Sequence, residues 1–189
     1  LIVKQLGLTN AKGVSTPGNK RSAEEQAQCE REAVLPGKES TLYRSCTMRG
    51  AYLSTDRIDI GETVKGLARN MQNPTISHML ELKRLGRYLL KFPHAVRRFQ
   101  LQRFPEAITI NADADWAGCL ASRKSTSGVV GRFGSHLLSG KSNLQSTIAL
   151  SSGESEFYAI SKGCALGLFL RALLSDWALQ VKLRVGTDS

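Results

Sequence analysis

The chain has 189 residues, 41% of them hydrophobic, and a formal net charge of +10 from 26 Lys and Arg against 16 Asp and Glu. That composition supports one large core or two small ones. With no run of 18 apolar residues, the sequence predicts no membrane span and no membrane partner. Four Cys and three His, all far apart, give neither a disulfide framework nor a zinc spacing, so reduced thiols in an intracellular setting are expected. All seven are read as surface or partly buried side chains. The first residues, Leu1 to Leu8, hold no initiator Met and no leader cleavage site, which reads as a piece of a longer protein. The charge is one-sided: residues 1–105 hold 18 basic and 9 acidic side chains, residues 106–189 hold 8 and 7. Such a split is the electrostatic footprint of a polyanion binder, and solvated basic helices give the same count.

Residues 1–20 read as a short apolar segment ending in a turn at Ser15-Thr-Pro-Gly-Asn-Lys20. Ser22 to about Val34 is polar and helix-prone and is closed by Pro36-Gly37, which predicts a surface linker helix or a loosely ordered connection. Residues 42–92 carry a helical pattern throughout. Thr41 is placed to cap a helix carrying Leu42, Tyr43, Cys46, Met48 and Leu53. Asp56 is placed to cap a second, with Ile58, Ile60, Val64 and Leu67 inward and an end near Asn73-Pro74. Thr75 or Ser77 opens a third that runs to Phe92-Pro93. In that third helix Met79, Leu82, Leu85 and Leu89 share one side. Lys83, Arg84, Arg87 and Lys91 form a stripe on another, either a rail for backbone phosphates or a solvated face.

From Ala107 the hydrophobic period changes from helical to alternating. Ile108, Ile110 and Ala112 alternate with Thr109, Asn111 and Asp113, the pattern of a half-buried strand. Thr126 to Phe133 reads as a second strand, Gly134-Ser135 as a two-residue hairpin loop, and His136 to Lys141 as a third strand that Thr147 to Leu150 could extend. A long helix from Ser151 or Ser152 to about Ala178 is apolar on most faces and is expected to be buried against a sheet. Val181 to Thr187 is a fourth strand. The fold class is therefore α/β, with the order β-β-β-α-β cut after the fourth strand and a helical segment ahead of it. The divisions expected are 1–41, 42–105 and 106–189.

Acidic residues stand out against this basic background. Asp113 ends the first strand on its polar side, Glu156 lies in the first turns of the long helix, and Asp188 follows the fourth strand. Carboxylates on rigid elements are what hard divalent cations need, and two such ions can clamp the attacking and leaving oxygens of a phosphodiester. Each acid has a rival reading. Asp115 would share the face of Asp113 if the strand continued, although Trp116-Ala-Gly118 suggests a turn. Glu154 fits a capping box with Ser151. Asp188 fits an ordinary strand end.

These motifs resemble the C-terminal region of copia-type retrotransposon Pol polyproteins, where reverse transcriptase runs into ribonuclease H. The family's Y-S-D-A-D-W-A-G is met by Asn111-Ala-Asp113-Ala-Asp115-Trp116-Ala-Gly118, its R-K-S-T-S-G by Arg123-Lys124-Ser-Thr-Ser-Gly128, its A-L-S-S-T-E-A-E-Y by Ala149 to Phe157, and its C-D-N by Thr187-Asp188-Ser189. Upstream, Arg57-Ile-Asp59-Ile60, Asn73-Pro74 and Lys83-Arg84-x-x-Arg87-Tyr88-Leu89 look like the connection between the two enzymes. The resemblance implies a ribonuclease H-like mixed sheet. Asp113, Glu156 and Asp188 would take three of four metal-ligand positions, holding two Mg2+ ions with Mn2+ as a substitute. The implied reaction is hydrolysis of RNA in an RNA–DNA hybrid, with discrimination through the 2′-hydroxyl and hybrid shape. Lys83, Arg84, Arg87, Lys91, Arg123 and Lys124 would contact the nucleic acid. The reverse transcriptase portion of the same polyprotein would be a partner, in a cytoplasmic particle or the nucleus.

The sequence also departs from the family. The fourth acid would lie beyond Ser189, so this chain alone is expected to be weak or inactive. Cys119 and Ser122 stand where the family has acids, Met48 and Arg49 interrupt its Val-Gly-Ser, and the polymerase's Y-x-D-D is absent. The competing expectation is a catalytically dead or domesticated fragment that only binds nucleic acid. A third, another metal nuclease or integrase of the same fold, fits the Lys-Ser-Thr-Ser-Gly run less well.

Overall fold

The computed structural model describes residues 1–19, 21–119 and 122–187. These divide into two compact units, Leu1–Val96 and Arg97–Ser189.

Unit 1 is helical: α1 (Ile2–Gln5), α2 (Ala23–Arg31), α3 (Gly37–Leu53), α4 (Ile58–Arg69) and α5 (Ile76–Lys91). Its core gathers Tyr43 and Cys46 from α3, Ile60, Val64 and Leu67 from α4, and Met79, Leu82, Leu85 and Leu89 from α5, with Ile2 and Leu6 closing one side. The inward stripe of α5 is the one the sequence predicts. Helix α3 starts earlier than expected, with Pro36 at its N-cap. Thr41 is therefore inside the helix, and its hydroxyl donates back to the Gly37 carbonyl at 2.8 Å. Met48 of this helix is exposed. Arg57, not Asp56, precedes α4, which ends at Arg69. Arg57 is buried because its guanidinium forks onto Asp59 at 2.9 and 2.7 Å and also donates to the Phe92 carbonyl. Tyr88 donates its hydroxyl to the same carboxylate at 2.8 Å. Arg57-Ile-Asp59 and Tyr88 thus lock the start of α4 to the end of α5.

Of the two alternatives for residues 22–34, a surface linker helix or a loosely ordered connection, the structure shows the helix, α2, and docks it through a buried contact. Ser22 and Glu25 form a capping box at its start. Near its end Cys29 is 1% exposed, with Sγ 3.4 Å from His78 Nε2 and 3.3 Å from Thr75 Oγ1. His78 Nδ1 accepts the Thr75 backbone N–H at 3.0 Å, which leaves the proton on Nε2 and directs it at the sulfur. Cys29 and His78 are therefore buried partners, a correction to their reading as surface or partly buried side chains. Burial holds the His78 pKa down to about 4, helped by the nearby Arg21 charge and opposed by Glu32. An unfolded chain, with its imidazole near 6.5, binds the proton first as pH falls. The stabilising contribution is therefore complete above pH 6.5 and is lost progressively toward pH 4. Urea titrations should show native stability falling by about 2 kcal/mol more between pH 6.5 and 5 in the wild type than in His78→Gln. Parallel curves for the two proteins would contradict the buried neutral imidazole.

Unit 2 is a four-stranded mixed sheet with one helix: β1 (Ala107–Asp115), β2 (Thr126–Phe133), β3 (His136–Leu144), α6 (Ser152–Asp176) and β4 (Lys182–Gly186), in the spatial order β3-β2-β1-β4. The β1–β2 and β2–β3 pairs are antiparallel, and β1–β4 is parallel. This is the mixed α/β architecture read from the alternation of periods. Gly134, at φ +60, supplies the left-handed residue of the β2–β3 hairpin. Residues 145–151 are irregular and do not extend β3. Segment 97–105, grouped by sequence with the helices, braces this hairpin. Gln102 donates to the Phe133 carbonyl at 3.0 Å and accepts from the Ser135 N–H at 2.9 Å.

The core of unit 2 lies between α6 and the face of the sheet bearing Ile108, Ile110, Ala112 and Val129. Small residues let α6 approach: side chains of Ile110, Ala112 and Val185 crowd Gly163, and those of Leu183 and Ile110 crowd Gly167. The helix packs against a sheet, as its apolar composition leads one to expect. One face packs on the sheet, while Phe157, Leu168, Phe169 and Trp177 are exposed. By length and composition alone α6 could cross a bilayer, but its small-residue face is seated on β1 and β4.

Candidate functional site

The contacts of α6 fix its direction. Gly163 sits against Ile110, Ala112 and Val185, and Gly167, one turn later, against Ile110 and Leu183. The helix therefore runs antiparallel to β1 and β4, and its N-terminus lies over their carboxyl ends. Glu156 precedes Gly163 by seven residues, roughly 10 Å at 1.5 Å per residue. It also falls on the helical line of Ile160, Gly163 and Gly167, the side turned toward β1 and β4. Asp113, Asp115 and Glu156 are thus brought to one end of unit 2.

Their side chains do not all share a face. Asp113 is exposed beside Thr109 and Asn111, on the side of β1 away from Ile110 and Ala112. It pairs with Gly128 of the neighbouring strand. Glu156 is half-buried on α6. Asp115 is the last strand residue, and its carboxylate folds over Gly118, so that a Cβ there would collide with it. The carboxylate faces the turn, as the Trp116-Ala-Gly118 sequence suggests. Among the described residues no three His, Cys, Asp or Glu side chains cluster closely enough to hold a metal ion. Asp188 falls outside the described residues.

Glu154 has a structural role. Its backbone N–H donates to Ser151 Oγ at 3.1 Å, and its carboxylate accepts from the Leu150 N–H at 2.7 Å and the Tyr158 hydroxyl at 2.9 Å. The carboxylate reaches one residue beyond the N-cap rather than back to it, but the start of α6 is held as a capping box would hold it.

The Arg123-to-Gly128 motif, whose Arg123 and Lys124 the resemblance assigns to nucleic acid, does mostly internal work. Lys124 Nζ donates to the Ser146 carbonyl at 2.6 Å, tying the loop before β2 to the one after β3. Ser125 is fully buried, and its Oγ accepts the Ala117 N–H at 3.1 Å. Trp116 Nε1 donates to the Ala149 carbonyl at 3.1 Å. Only Arg123 of the basic pair is exposed, at φ +55 in the turn. Sequence reasoning missed Gln145, which is buried and donates to Ser127 Oγ at 2.9 Å and the Ser155 carbonyl at 2.8 Å, joining β2 to the start of α6. The available signal was the serine pair: Ser125 and Ser127 occupy the inward-facing register of Val129, where apolar residues are the rule. Removing the Ser125 hydroxyl in Ser125→Ala leaves the Ala117 N–H without its acceptor. Denaturant melts should show a loss of about 1–2 kcal/mol, and an unchanged midpoint would mean this bond does not hold the loop.

The basic stripe of α5 is also partly spent. Arg84 Nη2 donates to Thr16 Oγ1 at 2.7 Å, and Arg87 Nε donates to the Lys12 carbonyl at 2.6 Å. Lys83 is exposed, and the Lys91 ammonium lies 5.3 Å from the Phe92 ring centroid. Two of the four cations therefore anchor residues 12–16 instead of forming an open rail.

No family model and no solved structure matches the chain. It is 35% identical over 118 residues to secreted RxLR effector protein 161 of Plasmopara viticola, covering 60% of this chain and 80% of that protein. It is 30% identical over 142 residues to the retrovirus-related Pol polyprotein from transposon RE1 of Arabidopsis thaliana, covering 75% of this chain and 10% of the polyprotein. A 30% identity over 125 residues relates it to an uncharacterized mitochondrial protein of the same plant, covering 63% of this chain and 49% of that protein. The chain thus spans about half the length of the mitochondrial protein and a tenth of the polyprotein.

Proposed function

We propose that this chain, which belongs to a family taking in the retrovirus-related Pol polyproteins of plant transposons and secreted RxLR effector protein 161, contributes a ribonuclease H-like metal site to such a polyprotein. The reaction is hydrolysis of the RNA strand of an RNA–DNA hybrid. The observation that carries the reading is that the carboxyl end of β1, which bears Asp113, and the first turns of α6, which bear Glu156, lie at the same end of unit 2. The last described pair of that ladder, Asn111 with Gly186, stands two positions ahead of both Asp113 and Asp188 in sequence. The β-β-β-α-β order with a β3-β2-β1-β4 sheet accords with the same reading.

The donor set fits a hard cation, since it offers carboxylate oxygens and no thiolate or imidazole. Asp113, Glu156 and Asp188 would hold magnesium. Bound there, magnesium would supply positive charge to the attacking and leaving oxygens of a phosphodiester. Asp113 is exposed and open to a substrate strand, whereas Glu154 and Asp115 are turned to the helix start and to Gly118. Ser125, Gln145 and Trp116 keep the loops around the strand ends in place.

A second reading is favoured by one relative. The effector protein, 80% of whose length is matched, bears a name unrelated to a polyprotein, so a segment of this kind occurs as a protein of its own. On that reading the chain binds nucleic acid without cleaving it. A labelled RNA–DNA hybrid in magnesium separates the two, using the chain extended at its C-terminus by the corresponding segment of a transposon relative. Cleavage of the RNA strand supports the hydrolase. Salt-sensitive binding of the hybrid without turnover supports the second reading and contradicts the first.

A further inference from the structure

We propose that a cavity in unit 1, remote in sequence from the acidic residues, is a binding site for one phosphate group of a nucleic-acid strand. The cavity, about 690 Å³, opens between α2, α5 and the segment ahead of α2. That volume is in the range of small-ligand sites, roughly 300–1,000 Å³. Four cationic side chains line it, Arg21, Lys83, Arg84 and Arg87, against two carboxylates, Glu25 and Glu81.

Both carboxylates are already engaged. Glu81 Oε1 receives Arg21 Nε at 2.6 Å, and Glu25 Oε2 receives the Ser22 N–H at 2.8 Å. Lys83, Arg84 and Arg87 therefore leave excess positive charge on one wall. The two guanidiniums are held in place by a single bond each, from Arg84 Nη2 to Thr16 and from Arg87 Nε to the Lys12 carbonyl. Arg84 Nε is buried with no hydrogen-bond partner among the described residues. A buried charged donor without an acceptor is costly, and the cost is relieved when an anion brings one. Phosphate oxygens match the planar fork of a guanidinium held in this way, and Lys83 adds a point charge at the rim. Leu8 and Leu80 line the cavity as well, giving an apolar surface next to the cations for the sugar or base attached to the phosphate.

The stripe on α5 is thus converted from an open rail into a bounded site, because Leu8, Asn19 and Arg21 wall one side of it. Phosphate binding here needs neither a metal ion nor hydrolysis. Measured in EDTA, its failure would leave the nuclease reading untouched, and loss of the nuclease reading would leave this site untouched.

The test is fluorescence anisotropy of a labelled, 5′-phosphorylated single-stranded DNA with the full chain in EDTA. Lys83→Gln should weaken binding about fivefold and lower the salt slope by about one. Lys38→Gln, an exposed lysine in the first turn of α3, should leave both within twofold. Competition by adenosine monophosphate would assign the site to a terminal phosphate. Competition only by unlabelled strands, with or without the 5′-phosphate, would assign it to an internal phosphodiester. Equal losses in Lys83→Gln and Lys38→Gln, or none in either, would overturn the proposal.

Discussion

Asn in place of Asp113 should abolish magnesium-dependent cleavage of an RNA–DNA hybrid by the extended chain, with a fall of about a thousandfold or more in kcat. The substitution keeps the shape of the side chain and removes its charge, and an amide is a poor ligand for a hard cation. Asp113 is exposed and makes no described hydrogen bond through its carboxylate, so stability should change by less than about 0.5 kcal/mol. Loss of activity in a chain that melts normally therefore reports on chemistry. Asp115→Asn is the internal control, because that carboxylate is folded onto Gly118, and it should cost about tenfold or less. If Asp115→Asn were the more damaging of the two, the assignment along β1 would be off by one register step.

Ile110→Ala should carry the largest stability loss in unit 2, about 3–4 kcal/mol. Ile110 is fully buried in the middle of β1, and its side-chain atoms crowd Gly131 in β2 and both Gly163 and Gly167 in α6. These neighbours are backbone without side chains, so little can swing in to fill the space, which places the cost toward the upper part of the range for large-to-small changes. Both tryptophans, Trp116 and Trp177, belong to unit 2, so their fluorescence in a denaturant titration reads this unit directly. A loss below about 1 kcal/mol would mean that α6 is not seated on β1 as described.

Where a local pattern alone decides an element, the sequence was readable. The alternation Ile108-x-Ile110-x-Ala112 located β1 and its polar side, Gly134 located the hairpin, and Met79, Leu82, Leu85 and Leu89 located the buried stripe of α5. What could not be read was set by partners distant in sequence. The polar composition of α2 hides its docking, which rests on one cysteine meeting a histidine 49 residues away. The α5 stripe looks like an open basic face until residues 12–16 are laid across it. An apolar run cannot say how many of its faces a sheet will cover, so the exposed Phe157, Phe169 and Trp177 were not foreseen. At the candidate site the acids were visible as outliers in a basic chain, but their scaffold was not. Ser125 and Gln145 are polar residues whose purpose appears only when the loops they join are adjacent.

On the proposed reading, Asp113 and Glu156 serve one divalent ion site at the carboxyl ends of β1 and β4. Its most direct test is paramagnetic broadening of backbone amide signals by sub-stoichiometric Mn2+. Selective broadening is expected at Asn111 to Asp115, at Ser155 to Phe157 and at Thr187, all of it lost in Asp113→Asn. Broadening confined to other surfaces, or unchanged by that substitution, would contradict it.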